Sequence, residues 1–221
     1  MTSRPDLAAA ANYFSQFQTC FNEEHWTHLR RVLRYIKGTL NVGLVYRADN
    51  EGQLLEVFSD ADWGNDITDR CSISGAVFKV FGATVSWFAR KQHTVSLSST
   101  EAELVALCAA ACHSQWLVRV LKELGWNSNN PVLFWEDNQS TMKIVSNPKD
   151  TGRLKHIDVK YFFVRDLVQN GKIKIEYVPS AEQQADMLTN NPCYLYIHID
   201  VTPRYLFDNL SFYYYYSVYL C

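Results

Sequence analysis

The order of strand-like and helix-like segments between residues 46 and 189 is the feature that most constrains how this chain folds. Three segments rich in β-branched and aromatic residues come first, and the last two flank Phe81 and Gly82, a two-residue hairpin turn. Helix-like and strand-like segments then alternate. Hairpins pair strands antiparallel, whereas strands joined by helices pair in parallel. The order β-β-β-α-β-α-β-α therefore predicts an α/β fold with a mixed five-stranded sheet and helices on its faces.

Local signals mark the ends of these segments. Ser98 and Glu101 have the spacing of a capping box, and Gly125 suits the residue that follows a helix C-terminus. Between them, apolar residues recur at helical spacing. Further helices are predicted at residues 139–145, 155–170 and 181–189. The segments PVLFWED and KIKIEYV are the predicted fourth and fifth strands.

The two ends of the chain differ from this central part. Residues 1–45 are predicted to be helical, with Asn22 as a cap and Gly38 as a stop. In residues 190–221, ten of 32 residues are Tyr or Phe, and no periodicity is visible. We expect this tail to be foreign to the domain and to add little to the fold; a hydrophobic docking segment is the alternative. Three divisions result, namely residues 1–45, 46–189 and 190–221.

Composition narrows the function classes. The formal net charge is −2, which excludes a positive field of the whole protein as the basis for binding nucleic acid; a local basic surface would be needed. The six cysteines include no C-x-x-C pair, a usage typical of a reducing intracellular compartment. No segment approaches the roughly 20 apolar residues of a membrane span, so no membrane partner is expected.

Four acids stand at informative places in the predicted elements. Asp60 lies in the first strand, Glu103 near the start of the long helix, Asp137 at the end of the fourth strand and Asp186 in the last helix. If the first and fourth strands are neighbours, these carboxylates can meet at one edge of the sheet. Converging carboxylates repel one another unless a cation neutralises them, and oxygen-rich sites suit Mg²⁺ or Mn²⁺. Each acid alone has an ordinary explanation, such as a helix cap or a solvated loop, but four in this order favour a metal site.

The same segments carry a family resemblance. FSDADWGND, SLSSTEAELVAL, LFWEDNQSTMKIV, KHIDVKYFFVRD and YVPSAEQQADMLT resemble, in order, the blocks of the ribonuclease H domain of Ty/copia-type retrotransposon Pol polyproteins. The upstream stretch EEHWTHLRRVLRYIKGT resembles the tail of the reverse transcriptase in the same polyproteins. The resemblance covers about residues 2–189 and implies a ribonuclease H-like fold.

The resemblance assigns roles to the four acids. Asp60 would bridge two Mg²⁺ ions, for which Mn²⁺ is a substitute. Glu103 and Asp137 would support the ion on the leaving-group side, and Asp186 would help to hold the ion that carries the attacking water. Asp62 and Glu101, in the same motifs as these acids, are second-ranked candidates.

The implied activity is endonucleolytic hydrolysis of the RNA strand of an RNA–DNA hybrid during reverse transcription. The partners would be the hybrid and the rest of the polyprotein, including the reverse transcriptase. The location would be intracellular, in a cytoplasmic virus-like particle or the nucleus. Two alternatives stay open: a catalytically inactive relic that folds or binds nucleic acid, and an integrase- or transposase-type core. The loop 179–184 contains no histidine, unlike the corresponding loop of cellular ribonucleases H, which removes one proton shuttle.

A basic run supplies candidates for substrate contact. Residues 143–174 contain eight lysines and arginines and three acids, whereas residues 49–69 contain seven acids and no lysine or arginine. A solvated helix face explains the basic run alone, but beside an acid cluster we favour phosphate binding. For His156, a structural role is an equal alternative. Three tryptophans, Trp63, Trp87 and Trp135, could stack on nucleic acid, but core packing is favoured for each. The candidate substrate-binding residues are Arg153, Lys155, His156, Asn138 and Ser99.

Overall fold

A mixed five-stranded sheet forms the centre of the molecule, a computed structural model that describes residues 3–46, 53–64, 66, 68–146 and 158–189. The strands lie in the order β3-β2-β1-β4-β5. β1, β2 and β3 pair antiparallel, and β1, β4 and β5 pair in parallel. The strands are β1 Leu55–Asp62, β2 Ile73–Val80, β3 Ala83–Lys91, β4 Val132–Glu136 and β5 Ile173–Tyr177.

Six α-helices surround the sheet within the part of the chain that the structure describes. They are α1 Ala8–Ser15, α2 Glu23–Gly38, α3 Ser99–Glu123, α4 Gln139–Ser146, α5 Asp158–Gln169 and α6 Asp186–Thr189. The predicted α/β class, the five strands and the adjacency of the first and fourth strands are confirmed. The element order and the strand order agree with the ribonuclease H-like fold that the resemblance implies. Glu103 lies in α3, between β3 and β4, where the sequence predicted it.

Local sequence signals explain the element ends. The hairpin between β2 and β3 turns at Phe81 and Gly82, which both have positive φ. This is the geometry of a turn that matches the twist of the two strands. α3 begins where the Ser98 hydroxyl accepts a hydrogen bond from the Glu101 backbone N–H (3.2 Å), and it ends before Gly125 at φ 88°.

The core lies on both faces of the sheet. The larger cluster joins the sheet to α3 and α5 and includes Val57, Phe78, Leu104, Leu107 and Phe134. A smaller cluster covers the opposite face. Each fully buried side chain of this size contributes roughly 1.5–3 kcal/mol to stability. Among the described helices, α3 alone is long and apolar enough to cross a membrane by length and composition. Half of its most apolar window is buried inside the protein.

The N-terminal segment contacts the sheet through α1. Ala8 lies in the smaller core cluster, and the Asn12 side chain donates to the Ala89 carbonyl at 2.7 Å. α2 begins and ends at the predicted Asn22 cap and Gly38, and none of its residues is buried. The predicted division at residue 45 is not tested by these contacts and stays a prediction. Residues 190–221 lie outside the described part of the chain, so the expectation about the tail also stays a prediction.

Gly75 in β2 determines where α6 lies. A Cβ atom at Gly75 would stand 2.8 Å from Thr189 Cγ2 and 2.9 Å from Leu188 Cβ. Because Gly75 lacks a side chain, α6 can pack directly on β2. Gly75 is also the register partner of Asp60, so this contact brings the end of α6 next to Asp60.

Candidate active site

Three of the predicted acids meet at one end of the sheet. Carboxylate oxygens of Asp60, Glu103 and Asp137 all lie within 4.8 Å of one another. Among the described residues, this is the one cluster of three or more Asp, Glu, His or Cys side chains with such spacing. The convergence follows from the topology, because β1 pairs with β4 and α3 packs on β1.

Asn138, and not Asp137, caps the start of α4. The sequence allowed Asp137 to be the cap of the next helix, but Asn138 has that role. Its side-chain oxygen accepts hydrogen bonds from the backbone N–H groups of Ser140 (3.0 Å) and Thr141 (3.1 Å). These bonds satisfy backbone donors at the start of α4. The carboxylate of Asp137 is therefore not needed for the helix and remains in the acid cluster.

Burial and mutual repulsion raise the proton affinity of the acids. Asp60 is 9% exposed, and burial raises its pKa to about 6, although the Thr189 hydroxyl donates a hydrogen bond to its carboxylate. The charges of Asp137 and Asp62 raise the pKa of Asp60 further. Burial raises the pKa of Glu103 well above its usual value, as do the charges of its acidic neighbours. Without a counter-charge, this cluster opposes its own ionisation.

The donor set fits a divalent cation. Glu103 Oε2 is buried and has no hydrogen-bond partner. A buried oxygen without a partner costs stability unless a donor or a metal ion satisfies it. Carboxylate oxygens are the ligands that Mg²⁺ and Mn²⁺ prefer. Asp60, Glu103 and Asp137 therefore suit a metal ion of this class.

Asp186 lies at the margin of the cluster. Its pKa is raised to about 8 by burial and then by the charges of Asp60 and Asp137, so it lies near enough to sense both. It is not among the acids within 4.8 Å of one another. The expected convergence of all four carboxylates thus holds for three, with the fourth beside them.

The segment that carries Asp186 differs from the predicted helix 181–189. It forms a short 3-10 turn, Ser180–Glu182, and then α6, with Gln183 extended between them. The Gln183 side chain is buried and donates to the carbonyls of Ser59 (2.9 Å) and Trp135 (3.4 Å). The prediction of one continuous helix was wrong, because these bonds to β1 and β4 hold Gln183 in an extended conformation that interrupts the helix.

Ser180 lies in the loop 179–184, which contains no histidine. Its hydroxyl donates a 2.6 Å hydrogen bond to Asp137 Oδ2. The loop therefore contacts the acid cluster although it has no imidazole. This contact fixes one oxygen of Asp137 and supplies no group that titrates near neutral pH.

The sequence prediction missed a further acid, Glu136. It is fully buried at the end of β4, where it accepts bonds from the Ser59 hydroxyl and the Asn138 backbone N–H, both at 3.3 Å. Burial raises its pKa well above the usual value, and the charges of Asp137 and Asp60 act in the same direction. The signal was present in the alternation of PVLFWED, which places Glu136 on the same buried face as Val132 and Phe134.

The second-ranked acids have different surroundings. Asp62 lies two residues beyond Asp60 in β1, on the same face, and contributes charge to the cluster. Glu101 is buried, and its side chain accepts a hydrogen bond from the Leu97 backbone N–H at 2.8 Å. Glu101 therefore holds the loop before α3.

The substrate-binding candidates are only partly described. Ser99 is exposed at the start of α3, one helical turn from Glu103. Asn138 is partly exposed next to Asp137. The predicted contacts Arg153, Lys155 and His156 lie outside the described residues.

Comparisons with known proteins agree with the resemblance to retrotransposon Pol polyproteins. The chain is 36% identical over 187 residues to the retrovirus-related Pol polyprotein from transposon RE2 of Arabidopsis thaliana, and 37% identical over 187 residues to that from transposon RE1. Each alignment covers 85% of this chain and 13% of the polyprotein, so the chain spans about an eighth of these relatives. A ribonuclease H1 from Halobacterium salinarum is similar in structure, with 19% identity and a TM-score of 0.46, over 63% of this chain and 96% of that one. No family model matches the chain.

Proposed function

Because the chain belongs to the Pol polyproteins of copia-type retrotransposons, we propose that it is their ribonuclease H segment. The proposed reaction is endonucleolytic, metal-dependent hydrolysis of the RNA strand of an RNA–DNA hybrid. The observation that carries the proposal is the convergence of Asp60, Glu103 and Asp137, with carboxylate oxygens within 4.8 Å of one another. Asp60 lies in β1, Glu103 in α3 and Asp137 directly after β4, and the order of these elements in the chain matches the family blocks.

The cofactor that we propose is a pair of Mg²⁺ ions, with Mn²⁺ as a substitute. When bound, such ions activate a water and neutralise charge on the leaving oxygen. Asp60, Glu103 and Asp137 would hold them, with Asp186 at the margin. Thr189 fixes the Asp60 carboxylate, and Ser180 fixes one oxygen of Asp137. These contacts hold the acids in place before metal binding, as a site with little reorganisation requires.

Substrate recognition would depend on the backbone of the hybrid. A nuclease that acts on hybrids of any sequence has to read helix shape and the 2′-hydroxyl rather than the bases. Arg153, Lys155 and His156 are the proposed phosphate contacts, and Ser99 and Asn138 are the proposed contacts nearest the acids. The reverse transcriptase segment of the polyprotein would hold the rest of the hybrid, so we expect weak cleavage by this chain alone.

The test is cleavage of a labelled RNA–DNA hybrid with Mg²⁺ or Mn²⁺, compared with the same reaction in EDTA. Asp137→Asn keeps the shape of the side chain but removes one charge from the cluster. We expect this variant to lose cleavage by on the order of 100-fold or more, because metal ions contribute several kcal/mol to such reactions. The matched control is Asp166→Asn, an exposed aspartate on α5, which should cleave like the parent.

The outcomes separate the alternatives. If Asp137→Asn cleaves as well as the parent, the assigned site is wrong. If the folded parent cleaves no hybrid at any metal concentration, the reading as an inactive relic replaces the proposal. A parent that joins DNA ends but leaves hybrids intact would favour an integrase-type core.

A further inference from the structure

α6 packs against the N-terminal segment as well as against the sheet. The 3-10 turn Pro5–Leu7 and helix α1 both contact α6. Ala8, at the start of α1, is buried and lies in the smaller core cluster together with Ala185 and Leu188, which flank Asp186. Because protein interiors are close-packed, a shift of α1 would also move α6. Residues far upstream of β1 thus support the helix that carries Asp186.

α1 is held against β3, an edge strand of the sheet. The Asn12 side chain donates to the Ala89 carbonyl at 2.7 Å, and Lys91 Nζ donates to Gln16 Oε1 at 3.1 Å. Both Ala89 and Lys91 belong to β3. These bonds lie at the middle and the end of α1, so the whole helix is fixed beside the sheet.

The start of the segment is anchored to α2. Arg4 and Asp6 form an ion pair at 2.6 Å, and the Tyr35 hydroxyl donates to Asp6 Oδ2 at 2.7 Å. Arg4 also donates to the Thr39 carbonyl at 2.9 Å. Tyr35 lies in α2 and Thr39 directly follows it. The turn that contacts α6 is therefore fixed from a second side.

The smaller core cluster separates the three tryptophans for which the sequence favoured core packing. Trp87 and Trp135 are partly buried and pack against this cluster, as expected. For Trp63 that expectation was wrong, because its indole N–H donates to the Ser96 carbonyl at 2.9 Å and 53% of its surface is exposed. The cluster thus draws side chains from α1, α6 and strands β1 to β4.

α6 connects this packing to the acids. It lies on β2 at Gly75, and the hydroxyl of its last residue, Thr189, donates a hydrogen bond to the Asp60 carboxylate. The charges of Asp60 and Asp137 act on Asp186 at its other end. If α6 moved away from β2, Asp60 would lose the bond from Thr189 and Asp186 would leave the margin of the cluster.

We propose that residues 4–16 are a positioning element of the acid cluster. By holding α6 on β2, they keep Thr189 bonded to Asp60 and Asp186 beside the three converging acids. This inference rests on the proposed nuclease function, because it concerns the metal site of that function. Residues 4–16 lie outside residues 46–189, the division that the sequence assigned to the nuclease domain, so the site depends on chain beyond that division.

The experiment compares Ala8→Leu with a matched control, Ala11→Leu, at an exposed position of the same helix. Leucine at position 8 would crowd the smaller core cluster, whereas at position 11 it would extend into solvent. Hydrogen exchange in EDTA follows the Leu188 amide, which donates to the Ala185 carbonyl at 2.9 Å. We expect Ala8→Leu to speed this exchange roughly 5- to 100-fold, from the usual effect of overpacking, and to leave α3 unchanged. Ala11→Leu should match the parent.

Asn12→Ala loosens α1 without adding volume, which keeps the proposal testable if Ala8→Leu unfolds. It removes the bond to the Ala89 carbonyl. We expect exchange at Leu188 to become roughly 2- to 10-fold faster, from the usual contribution of one hydrogen bond.

Binding of Mn²⁺, measured by titration calorimetry, tests the connection to the acids. Thr189→Val keeps the shape of the side chain but removes the hydroxyl that bonds to Asp60. We expect it to weaken Mn²⁺ binding roughly 10- to 100-fold, the usual effect of losing the partner of a metal ligand. Ala8→Leu should weaken binding in the same direction. If Ala8 acts through Thr189, the two effects should not add in the double variant.

The inference and the proposed function can fail separately. If the parent cleaves hybrids, and Ala8→Leu and Asn12→Ala exchange and bind Mn²⁺ like Ala11→Leu, the positioning role is wrong and the nuclease stands. Exchange that rises equally in α3 and α6 in both variants also overturns the positioning role, because it would show a general loss of stability. Additive effects of Ala8→Leu and Thr189→Val overturn the connection through Thr189. If the parent binds Mn²⁺ but cleaves no hybrid, the proposed function fails and exchange still tests the positioning role. A parent that neither binds Mn²⁺ nor cleaves overturns both.

Discussion

Replacing Asp60 with asparagine should make the metal-free protein more stable and at the same time inactive. Asp60 is almost completely buried beside Glu103 and Asp137, with Asp62 and Asp186 close by. Asparagine has nearly the same shape and can still accept the hydrogen bond from the Thr189 hydroxyl. The substitution therefore removes a repelled, buried charge and leaves the packing intact.

The magnitude follows from the pKa of Asp60. A pKa of about 6 in the folded protein, against an ordinary value of 3.8, means that ionised Asp60 destabilises the fold. Each tenfold change in proton affinity is worth about 1.4 kcal/mol, so the penalty is about 3 kcal/mol above pH 6. Between pH 3.8 and 6 the folded state keeps a proton that the unfolded state loses, so the penalty grows as the pH rises. Below about pH 4 it disappears, because Asp60 is protonated in both states.

The assay is urea unfolding in EDTA at pH 8 and at pH 4 for the parent, Asp60→Asn and the exposed control Asp166→Asn. At pH 8 we expect Asp60→Asn to exceed the parent by about 3 kcal/mol, and at pH 4 we expect the two to agree within about 0.5 kcal/mol. Added Mg²⁺ should stabilise the parent more than Asp60→Asn. Equal stabilities at pH 8, or a variant that is less stable there, would refute the argument that Asp60 is buried among like charges.

Two further changes test the support of the site and the limits of the domain. Gln183→Ala removes the donor to two carbonyl groups, so it should lower the free energy of unfolding by about 1–3 kcal/mol and reduce hybrid cleavage, because Asp186 loses its anchor. Urea unfolding and cleavage rates measure both effects, with Gln184→Ala, at a partly exposed neighbour, as control. A Gln183→Ala variant with unchanged stability and cleavage would contradict the anchoring role. Truncation after Asn190 should leave the thermal unfolding midpoint near that of the full chain, whereas a large drop in a scanning-calorimetry comparison would show that residues 190–221 are part of the fold.

Short-range patterns determined the element order of this protein. Alternation of apolar residues, the turn at Phe81 and Gly82 and the cap at Ser98 depend on neighbours within a few residues, so sequence reasoning located them. The helix Ala181 to Thr189 was predicted from such patterns and was wrong, since Gln183 bonds to strands far away in sequence. Alternation in β4 also places Glu136 on the buried face, but it does not show which charges surround Glu136 there.

By itself, the sequence determined which predicted element carries each acid, and so which of the acids could meet. The tertiary structure alone decided how closely they meet and what surrounds them. The Thr189 hydroxyl reaches Asp60 across 129 residues of chain, and Gln183 reaches Ser59 across 124. The tertiary structure also leaves Trp63 exposed and places Asp186 at the margin of the cluster. These properties depend on burial and on charges brought together from distant segments, and neither quantity exists in an unfolded chain.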